Sequence, residues 1–145
     1  MASFRRAGAL TLALAAPWLS VAAAHAESFA RLDPVPVVAS PTCAGDVSAE
    51  AQVTPVQVSD RVENGVRVAI NYDAGIYDGS CELTVTAAWA NLDTGAAGSR
   101  DITAVSTIDG HYGFIGYANT TFDTGSGTVV VTVSSHPGAE LRITT

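Results

Sequence analysis

The sequence predicts an all-β protein, a small sandwich of about seven or eight antiparallel strands that follows a helical secretory signal. Two observations carry this prediction. Apolar side chains recur at every second position through much of the region from Val53 to Ile143, and no segment of that region has a convincing 3.6-residue helical period. Turn residues, chiefly Gly, Asn and Asp, separate the alternating stretches at intervals of about ten residues, a spacing typical of sandwiches and small barrels.

Residues 1–26 have the layout of a signal peptide. Two arginines near the start are followed by an uncharged stretch rich in Ala and Leu, residues 7–24, and then by an Ala-His-Ala tripeptide that ends at Ala26. This order predicts a helical signal that is removed on export. We expect cleavage after Ala26 and a secreted, periplasmic or cell-envelope protein whose mature chain does not insert into a membrane.

The mature chain is strongly acidic. It holds all 14 acidic residues and five arginines, and the chain has no lysine, so its net charge is −9. Nucleic acid and anionic lipid carry the same sign of charge and are excluded as partners. The length after residue 26 suits one domain with a modest core.

Residues 27–42 are expected to form an extended, proline-rich lead-in to a single sandwich domain at residues 43–145. Pro34, Pro36 and Pro41 lack the amide hydrogen that a central strand donates to its neighbours. The lead-in therefore either precedes the sheets or forms an edge strand.

Cys43 and Cys81 are the only two cysteines, and we predict that they form a disulfide. Exported proteins reach compartments in which thiols oxidise. The spacing has no Cys-x-x-Cys character, which argues against a metal-bound or reactive thiol pair. In the chain-entropy model, closing a loop of this length stabilises the fold by roughly 4 kcal/mol.

A β-hairpin is predicted around Glu63-Asn64-Gly65. A three-residue loop there sets Val62 opposite Val66 and Val58 opposite Ile70, which keeps apolar residues on one face. A two-residue loop mixes apolar and polar residues on that face. We therefore expect a type I turn whose glycine is left-handed in a G1 bulge.

The clearest strand follows the second cysteine. Its apolar face, which we expect to point into the core, is formed by Cys81, Leu83, Val85, Ala87 and Trp89. The tryptophan lies on the same side as the cysteine, so it is expected to pack near the disulfide. Further strands are predicted at residues 101–108, 111–118, 128–134 and 139–144.

The segment from Thr124 to Ser135, TGSGTVVVTVSS, resembles the final strand of immunoglobulin variable domains. In that family a Gly-x-Gly-Thr bulge precedes a strand of Val and Thr. Asp-Gly-His-Tyr at residues 109–112 is similar to the tyrosine-bearing corner of the same fold, although it is one residue short. The resemblance implies an immunoglobulin-like sandwich and no immune function.

Asp-Thr-Gly occurs twice, at residues 93–95 and 123–125, and resembles the catalytic tripeptide of aspartic proteases. The resemblance implies an aspartic-type hydrolase in which Asp93 and Asp123 share a proton. The two copies are 30 residues apart, which leaves room for two or three strands rather than for two half-sites. The alternative is a pair of turns, each with Asp at the bend and Gly at positive φ.

Asp109-Gly110-His111 resembles the Asp-Gly-His segment of CopC-type periplasmic copper carriers, which are secreted β-sandwiches with an N-terminal histidine. Cleavage after residue 24 would place His25 at the N-terminus, where amine and imidazole together chelate Cu(II). The resemblance implies a copper site at His25, Asp109 and His111, with His136 as a further ligand. In that family the segment lies near the end of the domain, whereas 34 residues follow it here. The alternative is that Asp109-Gly110 forms a hairpin turn.

A second metal hypothesis concerns calcium. Asn71, Asp73 and Asp78 provide hard oxygen ligands within one loop, the type that Ca²⁺ prefers. Their spacing matches no calcium loop and lacks a bidentate Glu, so the alternative is a polar turn.

Aromatic residues are frequent near the predicted loops and strand ends. Tyrosine is favoured in recognition surfaces because it contributes a large contact area at a small entropy cost. The candidates, for which core and corner positions stay open, are Tyr72, Tyr77, Tyr112, Tyr117 and Phe122. We expect an exported, non-enzymatic binding or structural module for an unknown protein or cell-surface ligand. Its predicted contact residues are Tyr77, Asp78, Tyr112 and Tyr117.

Overall fold

The structure, a computed structural model, describes residues 27–75, 79–109 and 112–145. The strands of these residues are β1 (Phe29–Ser40), β2 (Cys43–Val58), β3 (Arg61–Asp73), β4 (Gly79–Asn91), β5 (Ala97–Asp109), β6 (Tyr112–Phe114), β7 (Gly116–Phe122), β8 (Thr128–Val133) and β9 (Leu141–Thr144). The predicted signal and its cleavage position lie outside the described residues.

The strands form two antiparallel sheets. Sheet A has the order β1-β2-β3-β7, and sheet B has the order β6-β5-β4-β8-β9. The prediction of an all-β sandwich is confirmed, with nine strands in the described residues where about seven or eight were expected. Within the same ranges, no helix is long and apolar enough to cross a bilayer.

The core lies between the sheets and is built from the alternating positions. The predicted apolar face of β4 is buried from Cys81 through Ala87, and it belongs to one cluster with the inward face of β3, from Val66 to Tyr72. Fully burying one such aliphatic side chain contributes about 1.5–3 kcal/mol. The opposite faces of both sheets keep the polar residues.

The hairpin prediction is wrong in its turn and register. The chain turns at Ser59-Asp60, where Ser59 has a φ of 55°, and residues 63–65 lie inside β3. This register pairs Ala51 with Val68 and Ala49 with Ile70. The alanines extend the apolar alternation of β2 toward the N-terminus, so the observed pairing buries a longer apolar face than the predicted one.

Gly65 has a different role from the predicted left-handed turn position. It lies opposite Thr54 in the β2–β3 ladder. A Cβ at residue 65 would lie 2.3 Å from the carbonyl oxygen of Phe122 and 2.4 Å from Cγ2 of Val56. The glycine is therefore needed for the close approach of its neighbours.

The proline-rich segment forms edge strand β1. It pairs with β2 from Phe29 opposite Gln52 to Ser40 opposite Cys43. The register shifts between Leu32 and Val35, next to Pro34. Prolines and a bulge on an edge strand oppose pairing with another chain.

The predicted disulfide is present and joins the two sheets. Cys43 of β2 and Cys81 of β4 have a Cα–Cα separation of 5.6 Å. Trp89 does not pack near the disulfide, because eight residues of strand place it about 26 Å along β4. It contacts Phe122 instead, with ring centroids 6.0 Å apart.

The strand predicted at residues 111–118 is divided between the sheets. β6 pairs with β5 in sheet B, and β7 pairs with β3 in sheet A, with Ile115 between them. A Cβ at Gly116 would lie 2.6 Å from the carbonyl carbon and oxygen of Val105. The missing side chain therefore lets the chain cross close to β5.

Candidate binding groove

Tyr117 is the predicted contact residue whose side chain the structure places. It lies in β7 opposite Asn71 and is 50% exposed. Tyr77 and Asp78 lie outside the described residues, and Tyr112 begins β6. Of the four predicted contacts, Tyr117 is therefore the one that can be placed on a described surface.

Tyr117 lines a groove of about 550 Å³ on sheet A. The groove is formed by side chains on the outward face of β1, β2 and β3, together with Ile115 and Tyr117 at one side. Both of these are half or more exposed. They form an apolar wall beside a floor that is polar apart from Pro34.

The floor contains a row of polar residues that crosses three strands. Ser48 lies opposite Asn71, and Asn71 lies opposite Tyr117. Neighbouring strands are about 4.8 Å apart, so the row spans roughly 10 Å. Such a row can hydrogen-bond one extended ligand segment along its length.

Ser48 is the most deeply placed polar residue of the groove, with 7% of its surface exposed. Within the described part of the chain, its hydroxyl takes part in no hydrogen bond, and its oxygen is not fully enclosed by the protein. A nearly buried hydroxyl without a protein partner retains its capacity to bond a ligand or water.

Among the described residues, the groove carries four charged side chains, three of them acidic. Asp46 lies directly opposite Asp73, and Arg31 lies opposite Glu50. None of the four has an ion-pair partner within 4 Å among the described residues. Like charges directly opposite each other in a sheet are destabilising, so the aspartate pair works against the fold.

The groove includes two of the three residues of the calcium hypothesis. Asn71 and Asp73 line it, whereas Asp78 lies outside the described residues. An oxygen of Asp73 accepts a hydrogen bond from the Gly75 amide at 3.2 Å. No group of three or more His, Cys, Asp or Glu residues suited to a metal occurs within the described ranges.

The copper hypothesis falls mostly on residues without a described position. His25 and His111 lie outside the described residues, and Asp109 ends β5. His136 is described and is buried in the β8–β9 connection. Its Nε2 lies 2.9 Å from the carbonyl oxygen of Asp33, and its Nδ1 lies 2.9 Å from the Ser135 hydroxyl.

A carbonyl oxygen only accepts, so Nε2 of His136 carries a proton and donates to Asp33. In the neutral ring, Nδ1 then accepts from the Ser135 hydroxyl. Nε2 therefore connects edge strand β1 to the β8–β9 connection of sheet B, and Nδ1 is bonded within that connection. The further copper ligand suggested by sequence has a structural role here.

Both Asp-Thr-Gly tripeptides form turns at one end of the sandwich. Gly95 has a φ of 78° and Gly125 a φ of 66°, as the turn alternative predicts. One Asp93 carboxylate oxygen accepts a hydrogen bond from the Thr128 amide at 2.7 Å. Asp123 is exposed at the end of β7.

Sequence reasoning missed Asn91, which connects the two turns and is 1% exposed. Its Nδ2 donates to the carbonyl oxygens of Thr124 at 2.9 Å and Ser126 at 3.0 Å. Its Oδ1 accepts from the amides of Asp93 at 2.9 Å and Thr94 at 3.2 Å. An Asn at a strand end before Asp-x-Gly is a signal for such a turn.

Comparison with known proteins does not place the chain in a family. No protein-family model, no curated protein and no solved structure matches it.

Proposed function

We propose that the protein is an exported, non-enzymatic binding module with an immunoglobulin-like fold, and that its ligand docks in the groove of sheet A. One observation carries the proposal. The groove combines a half-exposed tyrosine with a nearly buried serine and with charged side chains, and among the described residues the serine has no hydrogen-bond partner and the charged groups have no ion-pair partner. Polar groups left unused by the fold beside an exposed aromatic ring are typical of a recognition surface.

Two further features support the export and fold parts of the proposal. The layout of residues 1–26 is that of a secretory signal, and a disulfide is compatible with an oxidising compartment. The disulfide also connects the two sheets, as in immunoglobulin domains.

The non-enzymatic part of the proposal draws on the loops that resemble aspartic protease motifs. Asp93 bonds a backbone amide, and Asn91 holds both turns through four backbone contacts. These interactions account for the tripeptides as turn chemistry.

The binding site is tested with the purified secreted protein and cell-envelope fractions of the producing organism. We expect the double variant Asn71→Ala/Tyr117→Ala to lose at least about tenfold in affinity, since truncating a central aromatic anchor typically costs more than 1 kcal/mol. Leu92→Ala is the matched control, because Leu92 is 56% exposed at the end of β4 and outside the groove. Equal binding by the double variant and the control contradicts the proposed site.

The export route is tested by N-terminal sequencing and intact mass of the same protein. We expect a start at Glu27. A start at His25 instead would restore the N-terminal ligand that the copper alternative requires.

A further inference from the structure

We infer that the groove of sheet A binds a cationic peptide segment, one that carries Lys or Arg side chains on a partner protein. The inference rests on the proposed function, because it names the ligand class of the same groove.

The groove attracts positive charge. Its floor holds the carboxylates of Asp46, Glu50 and Asp73 against the single guanidinium of Arg31. The whole chain is acidic, with a formal net charge of −7. Clefts lined by one sign of charge concentrate ligands of the opposite sign and accelerate their association.

The Asp46–Asp73 pair is the focus of this charge. The two residues are directly opposite each other on neighbouring strands, and no described cation lies within 4 Å of either carboxylate. Arg31 has Glu50 as its cross-strand neighbour instead. An ammonium or guanidinium group from a ligand would remove the repulsion between the aspartates. The free protein contains this unfavourable energy, so relieving it favours binding.

The remaining residues of the groove fit an amino-acid side chain and backbone better than a bare ion. The exposed ring of Tyr117 can contact a cation through its face, and Ile115 offers an apolar contact for the aliphatic stem of a lysine or arginine. Ser48 and Asn71 provide hydrogen-bonding groups along the row. Because the described residues hold no metal-binding group of three, a divalent ion is the poorer match.

The test is a calorimetric titration of the purified secreted protein with two synthetic octapeptides. One alternates Lys and Arg with Gly, and the other carries Gln at every Lys and Arg position. We expect the basic peptide to bind at least tenfold more tightly than the neutral one at low salt. We also expect its affinity to fall severalfold between about 20 and 200 mM salt, since exposed charges are screened.

Single-charge variants locate the binding. Asp46→Asn and Asp73→Asn are each expected to weaken binding of the basic peptide at least fivefold. Asp60→Asn is the matched control, because it removes the same charge at the exposed β2–β3 turn and should change the affinity less than twofold. Equal affinities for Asp46→Asn and Asp60→Asn show attraction to the net charge alone and overturn the inference.

A third ligand separates failure of the ligand class from failure of the site. In one outcome the basic peptide does not bind, whereas a neutral oligosaccharide binds the native protein but not Tyr117→Ala. That outcome contradicts the cationic ligand class and keeps the groove as the binding site. If the double variant Asn71→Ala/Tyr117→Ala still binds envelope fractions as the native protein does, the groove is not the binding site, and the proposed function is contradicted as well.

Discussion

Two polar regions of this sandwich contain similar residues and use them differently. At one end, Asn91 and Asp93 direct their polar atoms to backbone groups of neighbouring loops. On the outer face of sheet A, Asn71 and Asp46 line a groove, and neither side chain takes part in a hydrogen bond or ion pair with another described residue. Residue type alone therefore does not show which polar groups the fold itself uses, whereas the occupancy of their hydrogen bonds does.

The largest effect is expected for Asn91→Ala. Removing the amide leaves two carbonyl oxygens and two amide hydrogens without their partner, and a buried unpaired polar group costs about 1–3 kcal/mol. We expect a loss of about 3 kcal/mol in the free energy of unfolding, measured by urea denaturation. Asn71→Ala is the matched control in the groove and should change stability by less than about 0.5 kcal/mol. Similar losses for the two variants would break the comparison.

A smaller loss is expected for Asp93→Ala. This change removes the 2.7 Å hydrogen bond that joins the β4–β5 turn to the amide of Thr128. The site is exposed to solvent, so the loss should be about 1 kcal/mol in the same urea experiment. Asp123→Ala, at the corresponding position of the second tripeptide, is expected to cost less because its carboxylate has no described hydrogen bond. A larger loss for Asp123→Ala would contradict the structural role assigned to Asp93.

Tyr72 extends the comparison to a polar group that is buried without a partner. Its side chain is fully buried, and its hydroxyl has no hydrogen bond in the described structure. Tyr72→Phe removes that hydroxyl without changing the ring, so we expect a gain of about 1 kcal/mol at neutral pH. A loss of stability on thermal or urea denaturation would show that the hydroxyl has a partner in the folded protein.

The same residue predicts a pH dependence. Burial raises the pKa of Tyr72 above its ordinary value of 10.0, so the unfolded chain loses this proton at lower pH than the folded chain. The contribution of Tyr72 protonation to the free energy of unfolding is complete below about pH 10, and it falls as the pH rises through and beyond that value. The free energy of unfolding of the native protein should therefore fall more between pH 9 and 11 than that of Tyr72→Phe, because the variant lacks the titrating hydroxyl. Identical profiles for Tyr72→Phe and the native protein would contradict this expectation.

The smallest effect is expected at the groove. Asp46→Asn removes one of two like charges that lie directly opposite each other, which should stabilise the fold by about 0.2–1 kcal/mol at low salt. The gain should shrink at high salt because the pair is exposed. Denaturation at two salt concentrations measures both effects, and Asp60→Asn serves as the control for net charge. A destabilised Asp46→Asn would mean that this carboxylate supports the fold.

Prediction from sequence succeeded where one strong pattern had one physical solution. The alternation from Cys81 to Ala87 fixes a strand with a buried face, and two cysteines have one possible intramolecular pairing. The hairpin failed because the alternating valines of β2 and β3 fit more than one turn position. The alanines that decide the register, Ala49 and Ala51, gave little signal by themselves.

The groove was anticipated only in part. Tyr117 was expected as a contact, and Asn71 and Asp73 were considered as ligands, but for separate sites. Their common position depends on cross-strand register, which joins residues more than 40 positions apart.

The sequence by itself determined the secondary-structure class, because apolar side chains that recur at every second residue can be buried together only on a strand. It also determined the disulfide, because two cysteines can pair within the chain in only one way. Tertiary structure decided the register, the division of β6 and β7 between sheets, and which polar groups have no partner among the described residues. The physical reason is distance along the chain. Asn91 finds its acceptor at residue 126, and Ser48 shares its row with residue 117, so neither arrangement is set by neighbouring residues.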